Sequence, residues 1–183
     1  EINSINIDTL KKVDVIKLLS FKNFIKRING QNNIIFKSEK FSRDLIDNFN
    51  SKTKLTFGRL ETIKEFSISE SDFYCITNIN FLDEFPILYF DCSINSNDKR
   101  DLLKKIEIDY KIKNESLTLN IKGNLNIIKK RINFDKIKMN DNYEANDADL
   151  RYFKSSFEEI LFDKNFVNIF NLTKIKKFIL ELS

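Results

Sequence analysis

The sequence predicts an α+β fold in which an antiparallel β-meander with one apolar face is flanked by N-terminal and C-terminal helices. Apolar residues recur near helical spacing up to residue 30, alternate with polar residues over 31–139, and return to helical spacing from 146. The breaks between the alternating runs are short, which favours hairpins between consecutive strands. We expect a single domain over 1–183, with an N-terminal helical segment (1–30), the sheet (31–139) and C-terminal helices (146–183).

The N-terminal zone, from about Asp8 to Gly30, carries apolar residues near helical spacing, and Gly30 lies where a helix would end. Ser20 is a suitable cap for a second helix, so the pattern fits either one helix or two. The short run 2–7, with isoleucine at three positions, is compatible with a strand at the edge of the sheet.

The sheet zone consists of runs in which every second residue is apolar. The predicted strands are carried by Ile34 and Phe36, Leu55 and Phe57, Phe66 and Ile68, Phe73–Phe81, Leu88–Ile94, Ile106–Ile112, Leu117–Ile127 and Ile132–Met139. Between the first two strands, "FSRDLIDNFN" predicts a short helix with Phe41, Leu45 and Phe49 on one side. In the last strand the apolar phase shifts near Asp135–Lys136, which is typical of a β-bulge. The regular alternation elsewhere indicates one apolar and one polar face.

Both cysteines lie in "DFYCITNINFLDEFPILYFDCSIN" (72–95), a predicted hairpin that turns at Asp83–Glu84. In this register Phe73 faces Ile94 and Cys75 lies opposite Cys92, with their Cα atoms ~4.5–5.5 Å apart. The pair therefore suits a disulfide in an oxidising compartment or two small core thiols in a reducing one. A reactive pair lacks support, because an apolar face does not lower the pKa of a thiol.

The C-terminal zone predicts helices after a polar hinge at Met139–Asp149. Asn146 or Asp147 caps the first helix, whose apolar stripe is Leu150, Phe153, Phe157, Ile160 and Leu161. The run 166–172 is strongly apolar, and Thr173 is a suitable cap for a last helix carrying Ile175, Phe178, Ile179 and Leu182.

The composition excludes several kinds of catalytic and binding site. The chain has no histidine, three isolated glycines and two cysteines with sixteen residues between them, so it has no histidine-based triad, P-loop or zinc-finger spacing. Its net charge of +4 comes from 31 basic and 27 acidic residues that are mostly interleaved, which is not the pattern of nucleic-acid binding. We therefore expect no enzyme, cofactor, metal or nucleic-acid partner.

Two short basic runs, Lys104–Lys105 and Lys129–Arg131, fit either solvated turns or contacts with a phosphate or anionic lipid headgroup. Glu107 and Asp109 lie on the predicted wet face beside lysines, as in an ordinary solvated surface. No apolar run approaches the ~20 residues of a membrane-spanning helix, and no secretory signal pattern is visible.

The stretch "SLTLNIKGNLNIIKKRINFDKIKMNDNYEANDADLRYFKSSFEEILFD" (116–163), with the closing "FNLTKIKKFILEL", resembles the C-terminal region of AsmA-like envelope proteins of bacteria with AT-rich genomes. The shared features are alternating strands, a "GNLNI…INFDKI" hairpin and a phenylalanine-rich terminal helix. The resemblance implies a non-enzymatic protein, anchored in the inner membrane, whose long open sheet conducts phospholipid through the periplasm. The chain begins at Glu1, lacks the family's N-terminal anchor and is far shorter, so we expect a piece of a longer protein.

Two functions follow as expectations. In the first, the apolar sheet face solvates phospholipid acyl chains for transport between membranes, at the periplasmic face of the inner membrane, where a segment outside this chain provides the anchor. The expected lipid-contact residues are Phe73, Ile79, Phe81, Phe90, Ile94, Ile106, Ile108, Leu119, Ile121, Leu125 and Phe134. In the second, the chain is an α+β module with a closed core that binds no ligand and docks a protein partner through a sheet edge or its helices.

Overall fold

The computed structural model describes residues 20–37, 46–106, 108, 115–162, 174 and 177. Within them, eight strands form one open antiparallel sheet in which each strand pairs only with its neighbours along the chain. The strands are β1 (Asn29–Lys37), β2 (Asn48–Thr56), β3 (Arg59–Ile68), β4 (Ser71–Asn80), β5 (Ile87–Ser96), β6 (Leu117–Asn126), β7 (Arg131–Met139) and β8 (Tyr143–Glu144). The predicted α+β meander is therefore confirmed.

Three helices are described: α1 (Lys22–Ile25), α2 (Lys99–Lys105) and α3 (Asp147–Leu161). Of the two caps predicted for α3, Asn146 and Asp147, the structure has Asn146, whose side chain accepts hydrogen bonds from the backbone N–H groups of Ala148 and Asp149. The Asp149 carboxylate accepts the backbone N–H of Asn146 in return, which completes a capping box. The predicted start of this helix is confirmed.

Two details of strand pairing predicted from the alternation are confirmed. Cys75 lies opposite Cys92, and Phe73 lies opposite Ile94. In the β6–β7 pair, Lys122 faces Lys136 while Gly123 faces Phe134, so Asp135 is the extra residue of a β-bulge. Phase shifts in the sequence thus located an irregularity of the sheet correctly.

The region from β1 to β3 differs from the prediction at three positions. Phe57 is not a strand residue: it forms the β2–β3 turn with Gly58, both at positive φ (46° and 94°), and its ring is 57% exposed. Gly30 belongs to β1 rather than to a helix end, and Phe49 belongs to β2 rather than to a short helix. Phe41 and Leu45 lie outside the described residues.

The predicted strand at Ile106–Ile112 is wrong at its start, and no strand lies between β5 and β6 as this prediction requires. Asp98 caps α2 by accepting the backbone N–H of Arg100, and Ile106 ends this helix. β6 pairs with β5 on one side and β7 on the other, so no further strand fits between β5 and β6. Residues 107 and 109–114 lie outside the described residues.

Further predictions concern segments that the structure does not describe, namely 1–19, the run 166–172 and the last helix apart from Lys174 and Lys177. The predicted hinge at 139–149 contains the two-residue strand β8, which pairs with the end of β7. The two strands are joined by a short turn, so the sheet continues into the hinge before α3 begins.

The core lies on one face of the sheet in two clusters. Ile25 of α1 packs with Ile79 and Phe81 at the end where β4 turns into β5. Leu125, Ile132 and Phe162 form the second cluster beneath α3. The helices therefore cover parts of a single apolar face, and that face contains the candidate site.

Candidate functional site

The apolar face is organised in rows of side chains that run across the strands. Residues directly opposite each other in an antiparallel pair point to the same face, so the register defines these rows. The phenylalanine row consists of Phe49, Phe66, Phe73, Ile94 and Leu119, and the leucine row of Leu55, Leu60, Ile79, Leu88, Leu125 and Ile132. The phenylalanine row is half-buried throughout, and the stacked rings of Phe66 and Phe73 have centroids 4.5 Å apart.

Most of the predicted lipid-contact residues share this face. They are Phe73, Ile79, Phe90, Ile94, Leu119, Ile121, Leu125 and Phe134. Phe81 follows the end of β4 and is buried against Ile25 and Ile79. Ile106 and Ile108 do not belong to the sheet: Ile106 ends α2, and Ile108 is buried after it with its backbone N–H bonded to the Leu103 carbonyl.

Helix α3 covers the apolar face over β6 and β7. The ring of Phe157 meets that of Phe134 edge to face at 5.9 Å, and that of Phe162 at 5.4 Å. Glu158 fixes the helix to the sheet, because one carboxylate oxygen accepts the backbone N–H of Ile132 (3.0 Å) and the other contacts the Arg131 guanidinium (2.6 Å). This part of the face is therefore packed core.

The two cysteines lie on the apolar face in the two middle strands, β4 and β5. Their Cα atoms are 4.0 Å apart, and their sulfur atoms are joined as a disulfide between β4 and β5. The same row of the face continues from Cys92 to Ile121 in β6. The bond therefore links the part of the face near α3 to the part formed by β2–β4.

The β2–β4 part of the face contains a strip of hydroxyl side chains that the apolar alternation did not reveal. The hydroxyl strip is Ser51, Thr53, Thr62 and Thr77. Thr62 and Thr77 are buried and hydrogen-bond to each other at 2.5 Å, while Ser51 is buried in the neighbouring row. This half of the face is therefore amphipathic.

Lys64 adds a charge to the same strip. It lies between Ser51 and Cys75 in the register and is the only charged residue that the pairing places on the apolar face from β2 to β6. Burial lowers the pKa of the Lys64 ammonium group, because the charged form loses hydration. Sequence reasoning missed Lys64, although the spacing Leu60–Thr62–Lys64–Phe66 assigns it to the same face.

A groove of about 1000 Å³ lies over β1–β4, but it is lined mainly by the polar face. From the polar face its lining includes Lys52, Lys54, Arg59, Glu61, Ile63 and Ile76, and from the apolar face it includes Thr53, Leu60, Thr62, Thr77 and Ile79. The lining of this groove is therefore a mixture of polar and apolar residues.

The two basic runs both have structural contacts. Lys104 and Lys105 lie in the last turn of α2, where a positive charge favours the helix dipole. The Lys129 ammonium lies 4.8 Å from the centre of the Phe85 ring, and Arg131 pairs with Glu158. These contacts fit the solvated-turn interpretation of both runs.

Two titration shifts belong to local structure rather than to a reactive centre. A hydrogen bond from Arg100 lowers the pKa of the Asp98 carboxyl at the start of α2. Burial, followed by the hydrogen bond to Asp149, raises the pKa of the Tyr143 hydroxyl. Both groups stabilise the beginnings of helices.

Within the described ranges, no three histidine, cysteine, aspartate or glutamate side chains come together as a metal site would require. In the same part of the chain, no helix combines the length and apolarity needed to cross a bilayer. From β2 to β6 the face offers apolar surface, the four hydroxyls of the hydroxyl strip, a hydrogen-bonded pair of serines (Ser71 and Ser96) and one ammonium group. No family model, curated protein or solved structure matches this chain.

Proposed function

We propose that this chain is a non-enzymatic segment of an AsmA-like cell-envelope protein, and that its apolar face holds lipid acyl chains. The observation that carries the proposal is the phenylalanine row, a half-buried apolar band across β2–β6 of an open sheet. An acyl chain laid on such a band gains ~0.8 kcal/mol for each CH₂ removed from water. A band of this kind selects for apolar chains rather than for a particular headgroup.

The place of action in this proposal is the periplasmic face of the inner membrane. The cross-strand disulfide between Cys75 and Cys92 supports this placement, because disulfides persist in oxidising compartments. In this proposal a segment outside these 183 residues anchors the protein to the membrane, as the AsmA-like resemblance implies.

The proposal is tested by photo-crosslinking from two adjacent positions on opposite faces of β4. Benzoylphenylalanine replaces Phe73, on the apolar face, in one sample and Tyr74, on the polar face, in the other. Each sample is irradiated with phosphatidylethanolamine–phosphatidylglycerol vesicles and analysed by mass spectrometry. We expect lipid adducts at position 73 and several-fold fewer at position 74; equal yields, or no adduct at either position, would sink the proposal.

A second function, that of a protein-docking module, has its own supporting observations. Part of the apolar face is already core beneath α3, and β1 is the outermost strand of the sheet within the described residues, with Ile35 67% exposed. An extended segment of a partner adding to this edge would make backbone hydrogen bonds with it. Benzoylphenylalanine at position 35 would then capture a protein from a lysate while position 73 captures no lipid.

A further inference from the structure

We propose that Lys64 binds the carboxylate of a long-chain fatty acid whose hydrocarbon tail lies along the phenylalanine row. This inference rests on the proposed function, because it names the ligand class for the same apolar face. It goes further by assigning a charged group that binds the polar end of the ligand, so the face should prefer ligands that end in a carboxylate.

The first argument is the position of the charge. From β2 to β6, the pairing places one charged residue on the apolar face, and its cross-strand neighbours Ser51 and Cys75 are neutral. Among the residues that the structure describes, no carboxylate forms an ion pair with Lys64. An ammonium group on such a face favours an anion that carries a hydrocarbon tail, because the anionic group pairs with the ammonium and the tail packs on the apolar face.

The second argument is the hydroxyl opposite Lys64. Ser51 is buried and directly opposite Lys64 in the β2–β3 pair. A carboxylate has two oxygens, so one is matched by the ammonium group and the other by a hydroxyl donor. Burial lowers the pKa of Lys64, and an anionic partner would offset the lost hydration of the charged form.

The third argument concerns the chain that follows the carboxylate. On the apolar face, the phenylalanine row is the row next to the one that contains Lys64, and it continues through Phe73, Ile94 and Leu119. From β3 to β6 this row spans about 14 Å at the usual strand spacing, which suits a chain of roughly twelve carbons. A fatty acid ends at its carboxylate, whereas a phospholipid would bring a headgroup and a second chain to a site with one cation.

The experiment compares two ligands that differ only at the chain end. Dodecanoate and 1-dodecanol, both below their aggregation limits, are titrated into the purified chain by calorimetry. We expect dodecanoate to bind at least tenfold more tightly than dodecanol, as a charge-assisted contact requires. Lys64→Met should remove this ratio, Lys64→Arg should keep most of it, and the matched variant Lys52→Met, on the polar face, should leave it unchanged.

The remaining outcomes would each contradict the role of Lys64, the identity of the ligand's anionic group or the proposed function. Equal affinities in the wild type, or an unchanged ratio in Lys64→Met, would refute the role of Lys64 while leaving acyl-chain binding in place. Binding of lysophosphatidylglycerol that depends on Lys64, without a dodecanoate preference, would replace the carboxylate by a phosphate headgroup. If neither twelve-carbon ligand binds, the proposed function fails as well. The wild-type comparison decides the matter even if a variant does not fold.

Discussion

The two halves of the apolar face are built from the same register but differ in chemistry. Over β5–β7, the central rows carry Phe90, Phe134, Ile121 and Ile137, and α3 adds Phe157 against them. Over β2–β4, the same rows carry the hydroxyl strip and Lys64. Polar groups in a buried face cost free energy unless they are satisfied. The first half therefore has the composition of a packed core, whereas the second half combines apolar rows with hydroxyl groups and one charge.

The largest expected effect is the loss of packing beneath α3. Ile132 is 3% exposed and contacts Phe162 and Leu125, so Ile132→Ala should lower the free energy of unfolding by about 3 kcal/mol. The matched change Leu60→Ala, at a half-buried position in β3, should cost roughly half as much. Urea denaturation of both variants measures the difference. Equal losses would mean that the two halves are equally well packed.

The disulfide joins the two halves, and its removal is expected to have the next largest effect. The double change Cys75→Ala with Cys92→Ala should destabilise the fold by about 2–3 kcal/mol, because the bond closes a loop between positions 17 apart. Urea midpoints with and without dithiothreitol measure the contribution. The reductant should shift the wild-type midpoint and leave the double variant unchanged; an unshifted wild type would contradict the expectation.

The cap of α3 tests how firmly the helix covers its half. Asn146→Ala removes the acceptor for the backbone N–H groups of Ala148 and Asp149, so it should cost about 1 kcal/mol in unfolding free energy. Asp147→Ala, in the same turn, is the control and should cost less than about half of that through the helix dipole alone. Thermal unfolding monitored by circular dichroism compares them, and similar losses would argue against the capping box.

The smallest expected effect is a gain in stability. Lys64→Met should raise the free energy of unfolding by about 1 kcal/mol at pH 7, since it removes a charge from the apolar face and keeps a long unbranched apolar side chain there. Because burial lowers the folded-state pKa of Lys64, the unfolded chain binds more protons between that pKa and the ordinary value near 10.4. Wild-type stability should therefore rise with pH across this window, and the variant should lack this rise.

The control for this gain is Lys52→Met, an exposed position on the polar face of the neighbouring strand. It should change the unfolding free energy by less than about 0.5 kcal/mol. Denaturant curves at several pH values measure both variants. A Lys64→Met variant that is clearly less stable than the wild type would show that Lys64 serves the core rather than a ligand.

The fold was largely predictable because the signal is periodic. The pairing of Cys75 with Cys92 followed from a turn at Asp83–Glu84 together with the alternation, since a slip by one residue would turn a strand inside out. The phase shift predicted a bulge near Asp135–Lys136, and the polar segment before α3 offered Asn146 or Asp147 as the cap, of which Asn146 is the one observed. Each of these features is decided by a few residues close together in the chain.

The sequence mispredicts the structure where two local patterns compete. It also leaves out a polar residue where apolar residues alone define a face. Residues 98–106 contain both a cap followed by Leu102 at helical spacing and the beginning of an alternating run. The direct pairing of β5 with β6 leaves no position for another strand between them, and this pairing cannot be predicted from residues 98–106 alone. Lys64 escaped notice because a charged residue interrupts the apolar pattern, although its position in the alternation was available from Leu60 and Phe66.

The strictly consecutive pairing of β1–β8 also has a consequence for how the chain folds. A sheet that brings together strands distant in sequence has a high contact order, which slows folding. Here each strand's partners are the strands immediately before and after it. During synthesis, every strand that leaves the ribosome meets a partner made just before it, so the sheet can form in the order of translation. The disulfide between β4 and β5, formed once the chain is in an oxidising compartment, would then hold together two strands that are already neighbours along the chain.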